Sequence, residues 1–418
     1  MKLLKIALKS AWNRKVSISL AMFSIAISIL LLLGVDTIRK QAKDNFINTI
    51  SQTDLIVGAR TSPINLLLYS IFHIGSATNN ISYARYEEIA SFKQVKWSVP
   101  ISLGDSHRGF RVMGTDSDYF RYYRYANTQS LQLQQGEVFK DVYDAVVGYD
   151  VAQSLGYPLG HNIVLSHGIA ATKFSEHADK PFRIVGILKK TNTPVDRTVL
   201  VSLQGIEAIH IDWQSGARSA LRISAKKARQ MGLQPKSITA FMLGVDNRIT
   251  LFGLQRKINN FPNESLLAIM PGVTLASLWQ TMGEFEKVLM AVSALVLLAG
   301  LIGLLTALLT TLNERRREMA VLRAVGAHAY HVVVLFALEA LLVVMGGALL
   351  GIAILYAMQV IMQPIIAENY GLFLSIKMLD AEQIVILLAA LLLAIILSLI
   401  PGFIAYKRSL QDGLMVKI

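Results

Sequence analysis

Histidine and carboxylate side chains are the groups in this sequence best suited to chemistry. Six of the eight histidines fall between residues 36 and 287: His73, His107, His161, His167, His177 and His210. Three of them, His161, His167 and His177, crowd into one stretch beside Glu176 and Asp179. Imidazole nitrogens with a carboxylate form a donor set that suits zinc, which makes these three histidines candidate metal ligands. Their spacing follows no fixed ligand motif, and neither His-x-Glu nor His-Glu-x-x-His occurs. Scattered surface histidines are therefore the competing reading.

Other chemistries are excluded more firmly. No Gly-x4-Gly-Lys-Ser/Thr is present, and no glycine is followed by lysine. The sequence thus lacks that phosphate-cradling loop and is not expected to bind ATP or carry a cofactor of its own. A nucleophile elbow and a metalloprotease helix are absent too, so no enzymatic activity is expected. There is no cysteine, which removes disulfides and thiolate metal sites.

The elements that must position these groups belong to a membrane protein. Of the 418 residues, 53% are hydrophobic and only 17% charged, and the mean hydropathy is +0.46. Val16–Val35, Val288–Leu312 and Ile384–Ala405 contain no charged residue, and each is long enough to cross a bilayer as a helix. A further span starts near His331, carries Glu339, and runs uncharged from Ala340 to about Ala367. The expected fold is an α-helical membrane protein of four spans, with a large α+β domain at residues 36–287 between the first and second.

Lysine and arginine set the orientation. Lys2, Lys5, Lys9, Arg14 and Lys15 precede the first span, and Arg315, Arg316, Arg317 and Arg323 lie between the second and third. Lys407, Arg408 and Lys417 follow the fourth, whereas the loop at 363–383 offers only Lys377. Both termini and the Arg-rich loop are therefore expected in the cytoplasm. Of the net charge of +13, +7 falls within residues 36–287, and with that domain facing outward nucleic acid is not an expected partner. The first span reads as an uncleaved signal anchor, because no small-x-small site precedes the charged Asp36–Lys43 stretch. Residues 1–15 place Leu4, Leu8, Ala11 and Trp12 on one face, as in a helix lying in the lipid interface.

Small residues recur at helical spacing within the spans. Ala390, Ala394, Ser398 and Gly402 line one face of the fourth, and Gly347 and Gly351 one face of the third. Such stripes permit close helix packing, inside one bundle or across a dimer seam. Glu339, the acid within a span, is read either as a proton relay or as a residue reaching water or an arginine at the cytoplasmic end.

In the outer domain, strands are expected at Lys96–Leu103, Gly109–Met113, Asp144–Val147, Asn162–Leu165, Phe182–Leu188, Thr198–Ser202 and Ala240–Val245. Helices are expected at Ala84–Phe92, Tyr149–Leu155, Leu203–Ile209, Ala225–Gln230 and Ile249–Asn260. Pro63–Gly75 is unusually apolar and reads as a buried core helix or an exposed partner patch. Leu275–Lys287 continues helically toward the second span as a stalk.

The segment at 313–329 carries the most information. It reads Asn313-Glu-Arg-Arg-Arg-Glu-Met-Ala-Val-Leu-Arg-Ala-Val-Gly-Ala327. Met319, Leu322 and Val325 form an apolar face with Arg316, Arg317 and Arg323 around it, and Gly326 can end the helix. It is either an interfacial helix with cytoplasmic anchors or a coupling helix seated on a cytoplasmic partner.

This motif, followed by Phe336-Ala-Leu-Glu-Ala340 and Gly346-Gly-x3-Gly351, resembles the signature of MacB/FtsX-like permeases, the membrane subunits of type VII ABC systems. Phe110-Arg-Val-Met-Gly-Thr-Asp-Ser-Asp-Tyr-Phe120 and Phe182-Arg-Ile-Val-Gly-Ile-Leu188 are similar to that family's periplasmic core domain. The tail departs from the family, lacking its proline after span four. The resemblance implies a homodimer in the bacterial inner membrane, bound to separate ATPase subunits that carry ATP and magnesium. Arg316, Arg317, Glu318, Met319, Leu322, Arg323 and Gly326 would then be the coupling surface. It further implies mechanical work or export on the periplasmic side, with a periplasmic or lipoprotein partner. A scaffold or sensor that regulates periplasmic partners without transport is the alternative. Stretches such as Thr193-Pro-Val-Asp-Arg-Thr198 and Ile206-Glu-Ala-Ile-His-Ile-Asp-Trp213 are similar to a subgroup often encoded among zinc-responsive genes, which would link the histidines to metal homeostasis.

Overall fold

A computed structural model describes residues 14–126, 128–168, 177–214, 217–218, 223–310, 312, 327–370 and 376–411. Residues 1–13 of the interfacial helix expected at 1–15, residues 313–326 of the segment expected at 313–329 and residues 412–418 of the tail lie outside these. All seven residues expected to couple, Arg316, Arg317, Glu318, Met319, Leu322, Arg323 and Gly326, fall outside the described residues. The chain divides into a membrane unit, Met1–Gln41 with Met282–Ile366 and Leu374–Ile418, and an outer unit centred on Ala42–Thr281.

Among the described residues four helices are long and apolar enough to span: Lys15–Asp44, Pro271–Thr310, Tyr330–Ile366 and Ala381–Ala405. In hydrocarbon every backbone polar group must be satisfied within the segment, which only an unbroken helix achieves for such runs. Ile25, Ile29 and Leu33 of the first span pack with Leu301, Leu304 and Leu308 of the second, Phe336 and Val344 of the third, and Ala390 and Ala394 of the fourth. The glycines of span three sit against span one. A methyl group on Gly351 would come within 2.6 Å of the Ala26 carbonyl oxygen, and one on Gly347 within 2.8 Å of the Met22 carbonyl oxygen. Gly402 of span four faces Val333 of span three, with Cβ room of only 3.1 Å, and Ser398 is buried. Gly347, Gly351 and Gly402 are thus close-contact points between spans of one chain. Glu339 is likewise buried, at 2% exposure. At the outer end, Lys40 bridges Asp36 (2.9 Å), Asp380 (2.6 Å) and Glu382 (2.7 Å), which ties the first span to the fourth.

The outer unit is α+β and built on one mixed sheet. Its strands are β1 (Leu55–Ala59), β2 (Val95–His107), β3 (Phe110–Thr115), β4 (Leu133–Gly136), β5 (Asp144–Val147) and β6 (Asn162–Ile163). They continue with β7 (Ser166–His167), β8 (Phe182–Leu188), β9 (Thr198–Ser202), β10 (Ala240–Val245) and β11 (Leu266–Ile269). The order is β11-β1-β10-β2-β3-β9-β5-β8-β4, with β7 paired to β2 and β6 to β8. Both faces are covered. Met113, Val146, Leu200, Ala240 and Met242 point into one continuous layer, roofed by α1 (Pro63–Ile71). The alternate residues fill two separate clusters on the other face: Val112, Val147, Phe182 and Val199 in one, and Leu55, Val57, Phe241 and Leu243 in the other.

The apolar Pro63–Gly75 segment therefore supplies a core helix, with Leu66, Leu67 and Tyr69 buried. Asp144–Val147, Phe182–Leu188, Thr198–Ser202 and Ala240–Val245 coincide with their expected ranges. β1 and β11 were not anticipated, since each is a short apolar run without alternation. Such runs are what burial on both faces demands, and periodicity cannot separate them from helix. The expected stalk is part of a single helix, Pro271–Thr310.

Candidate functional site

Asp105, His167, His177 and His210 converge in the outer unit, with one ligand-capable atom from each within 4.8 Å of the others. The sheet creates half of this arrangement. β7 runs antiparallel to β2 and pairs His167 directly with Asp105. The β2–β3 register shifts between Leu103 and Ser106, so a bulge sits at the point that presents Asp105. Bulges re-aim side chains in this way.

Helix α2 (Leu203–His210) brings the third group. Its N-cap Ser202 accepts from the Gly205 amide at 3.0 Å. Gly205 leaves no room for a side chain, as a Cβ there would lie 2.5 Å from the Val142 carbonyl oxygen. The helix is thereby seated closely, and His210 stands at its C-terminal end. His177 arrives on the return from β7, its amide donating to the Leu165 carbonyl at 2.9 Å. Three residues on, Lys180 forms a buried ion pair with Asp212, two residues after His210. That pair locks the segment carrying His177 to the segment carrying His210.

Distances within the cluster are short. His167 Nδ1 lies 3.1 Å from Asp105 Oδ1 and 3.2 Å from His210 Nε2, and His210 Nε2 lies 3.4 Å from Asp105 Oδ1. The remaining nitrogen of His210, Nδ1, is 2.9 Å from the Ile206 carbonyl and donates to it. Burial opposes ionisation of Asp105, yet its close contacts with His167 and His210 outweigh it and hold the carboxyl down at about 2. The Asp105 carboxylate raises His167. Burial, reinforced by the neighbouring His210, lowers His177 to about 4, so it is neutral at pH 7 with a lone pair to offer. A buried carboxylate and three imidazoles make a donor set for a borderline divalent cation.

Of the three histidines singled out by sequence, two take part. His161 stands apart: it stacks on Tyr157 with ring centroids 4.4 Å apart, and Tyr157 in turn hydrogen-bonds His107 at 2.8 Å. Asp105 and His210 were not placed with the cluster from sequence. Strand pairing and the seating of one helix bring them there, and neither leaves a local sequence signal.

The family described as MacB-like periplasmic core domain matches residues 18–234, and that described as FtsX-like permease C-terminal matches residues 290–412. The chain belongs to the MacB/FtsX-like permeases of type VII ABC transporters. Among its relatives is the uncharacterized ABC transporter permease MJ1507 of Methanocaldococcus jannaschii, 22% identical over 64% of this chain and 63% of its own length. The pyoverdine export ATP-binding/permease protein PvdT of Pseudomonas syringae pv. tomato is 24% identical over 65% of this chain and 40% of its own length. The matches thus take in less than two thirds of either relative. The periplasmic region of MacB from Actinobacillus actinomycetemcomitans aligns with 57% of this chain and 95% of its own, at 10% identity and a TM-score of 0.33. The two family matches and the four spanning helices make it a multi-pass membrane permease with a periplasmic domain.

Proposed function

We propose that the chain works as the permease of an ABC system in which a separate cytoplasmic ATPase, carrying ATP and magnesium, drives motion of the periplasmic domain. The supporting observation is the helix Pro271–Thr310. It begins directly after β11 of the outer unit, and the stretch of sequence bearing Arg316, Arg317, Glu318, Met319, Leu322, Arg323 and Gly326 follows its end. At 1.5 Å per residue its 40 residues span about 60 Å. The helix thus runs unbroken from just after β11 to residue 310, close in sequence to the proposed coupling motif. Closure of the ATPase would shift the motif, and the helix would carry that shift outward. Two copies of the chain would act together in the bacterial inner membrane, both termini in the cytoplasm. Periplasmic cargo, or a periplasmic or lipoprotein partner, would be worked on without a solute path through the four spans. The absence of a phosphate-cradling loop from the sequence supports assigning hydrolysis to a partner.

The test is ATP hydrolysis by the purified complex of permease and ATPase. Arg323→Glu is expected to abolish complex formation and permease-dependent hydrolysis. Unchanged assembly and turnover in that variant would show that the loop does not couple.

A further inference from the structure

We propose that Asp105, His167, His177 and His210 bind one divalent transition-metal ion, zinc fitting best, in a closed four-ligand site on the outer domain. Zinc bonds to imidazole nitrogen and carboxylate oxygen of about 2.0–2.1 Å give a tetrahedron with edges of about 3.3–3.4 Å. Three edges are already close to that: 3.1 Å for Asp105–His167, 3.2 Å for His167–His210 and 3.4 Å for Asp105–His210. His177 supplies the fourth corner from within 4.8 Å, a gap that a small ring movement closes.

The surrounding contacts also suit a metal. His210 gives its Nδ1 proton to the Ile206 carbonyl, which leaves the Nε2 lone pair aimed at the cluster. Metal-bound histidines are commonly oriented this way. That lone pair faces a carboxylate oxygen, an arrangement that calls for positive charge between the two. A proton meets the need in part; a cation meets it for all four groups together. Three imidazoles select against calcium and magnesium, which prefer oxygen ligands, and favour the first-row transition metals. Four protein donors leave no open position, as in sites that hold an ion without using it for catalysis. His167 is 55% exposed, so the ion has a path in from solvent, while Asp105 at 3% forms the floor. Binding would fasten β2, β7, the segment at His177 and helix α2 to one another.

The test uses the full chain purified in detergent, stripped with a chelator and then titrated with zinc alone against a chromophoric competitor. One zinc per chain is expected, together with a rise in melting temperature. His177→Ala and His210→Ala are expected to weaken binding beyond the roughly 10–100-fold typical of losing an outer-sphere partner, and to remove the melting shift. His161→Ala is expected to match the parent chain. X-ray absorption of the zinc-loaded parent should show nitrogen and oxygen at about 2.0–2.1 Å with imidazole scattering, a result that stands even where a variant fails to fold. No zinc retained at micromolar concentration would overturn the proposal. So would equal affinities of His210→Ala, His177→Ala and the parent, or an absorption spectrum without imidazole.

Discussion

His210 Nε2 faces Asp105 Oδ1 across 3.4 Å, while Nδ1 of the same ring is 2.9 Å from the Ile206 carbonyl. The backbone of one helical turn thus decides which nitrogen looks into the cluster. A carboxylate from a strand bulge and a lone pair from a helix end meet there, although 104 residues of sequence lie between them. The neighbouring Lys180–Asp212 pair joins the segment of His210 to that of His177.

That ion pair gives the first prediction. Lys180 is 1% and Asp212 5% exposed, so removing one partner strands a buried charge. Lys180→Met should destabilise the outer domain by about 3–5 kcal/mol, and adding Asp212→Leu should recover most of the loss. Urea unfolding of the full chain in detergent reads both. A single variant as stable as the parent would contradict the burial.

Packing of the third span against the first gives a second. Gly351 approaches the Ala26 carbonyl, with Cβ room of 2.6 Å, whereas nothing lies within 4 Å of a Cβ at Gly303. Gly351→Val should cost about 1–3 kcal/mol through overpacking, and Gly303→Val should be near neutral. Thermal unfolding in detergent separates them. Equal effects would mean that the two helices do not meet at that turn.

Burial, with the Arg111 guanidinium nearby, lowers His73 from its ordinary 6.5 to about 4. As pH falls below 6.5 the unfolded chain takes up a proton that the folded chain refuses until about 4. The His73 contribution to stability is therefore full above 6.5 and declines across that interval. His73 sits at φ 56°, a conformation asparagine tolerates, so His73→Asn should flatten the decline. His177, lowered to about 4 as well, leaves a residual slope. An unchanged slope in His73→Asn would rule out this origin.

Much of this was legible from sequence, and the gaps have physical causes. Uncharged runs marked the spans because lipid forbids unpaired backbone and rarely accepts charge. Strands such as Phe182–Leu188 and Thr198–Ser202 stood out through β-branched and aromatic residues. β1, Leu55–Ala59, did not, since all its residues are buried and no alternation survives. The site was half legible: clustering along the chain identified His167 and His177 but also drew in His161, which stacks on Tyr157 instead. Asp105 depends on cross-strand register, and His210 on the close seating that Gly205 permits. The motif from Arg316 to Gly326 showed the opposite case, as its residue types alone pointed to a family.

Transmission of ATPase motion to the outer domain can be measured directly. The sequence has no cysteine, so Ile249→Cys, at a position 86% exposed, carries a spin label without background. Distances between the labels of paired copies would be recorded for the permease–ATPase complex, nucleotide-free and with bound ATP. A shift of the distance distribution on ATP binding, abolished by Arg323→Glu, is the predicted result. Identical distributions in both states, in a complex that still hydrolyses ATP, would contradict the proposed coupling.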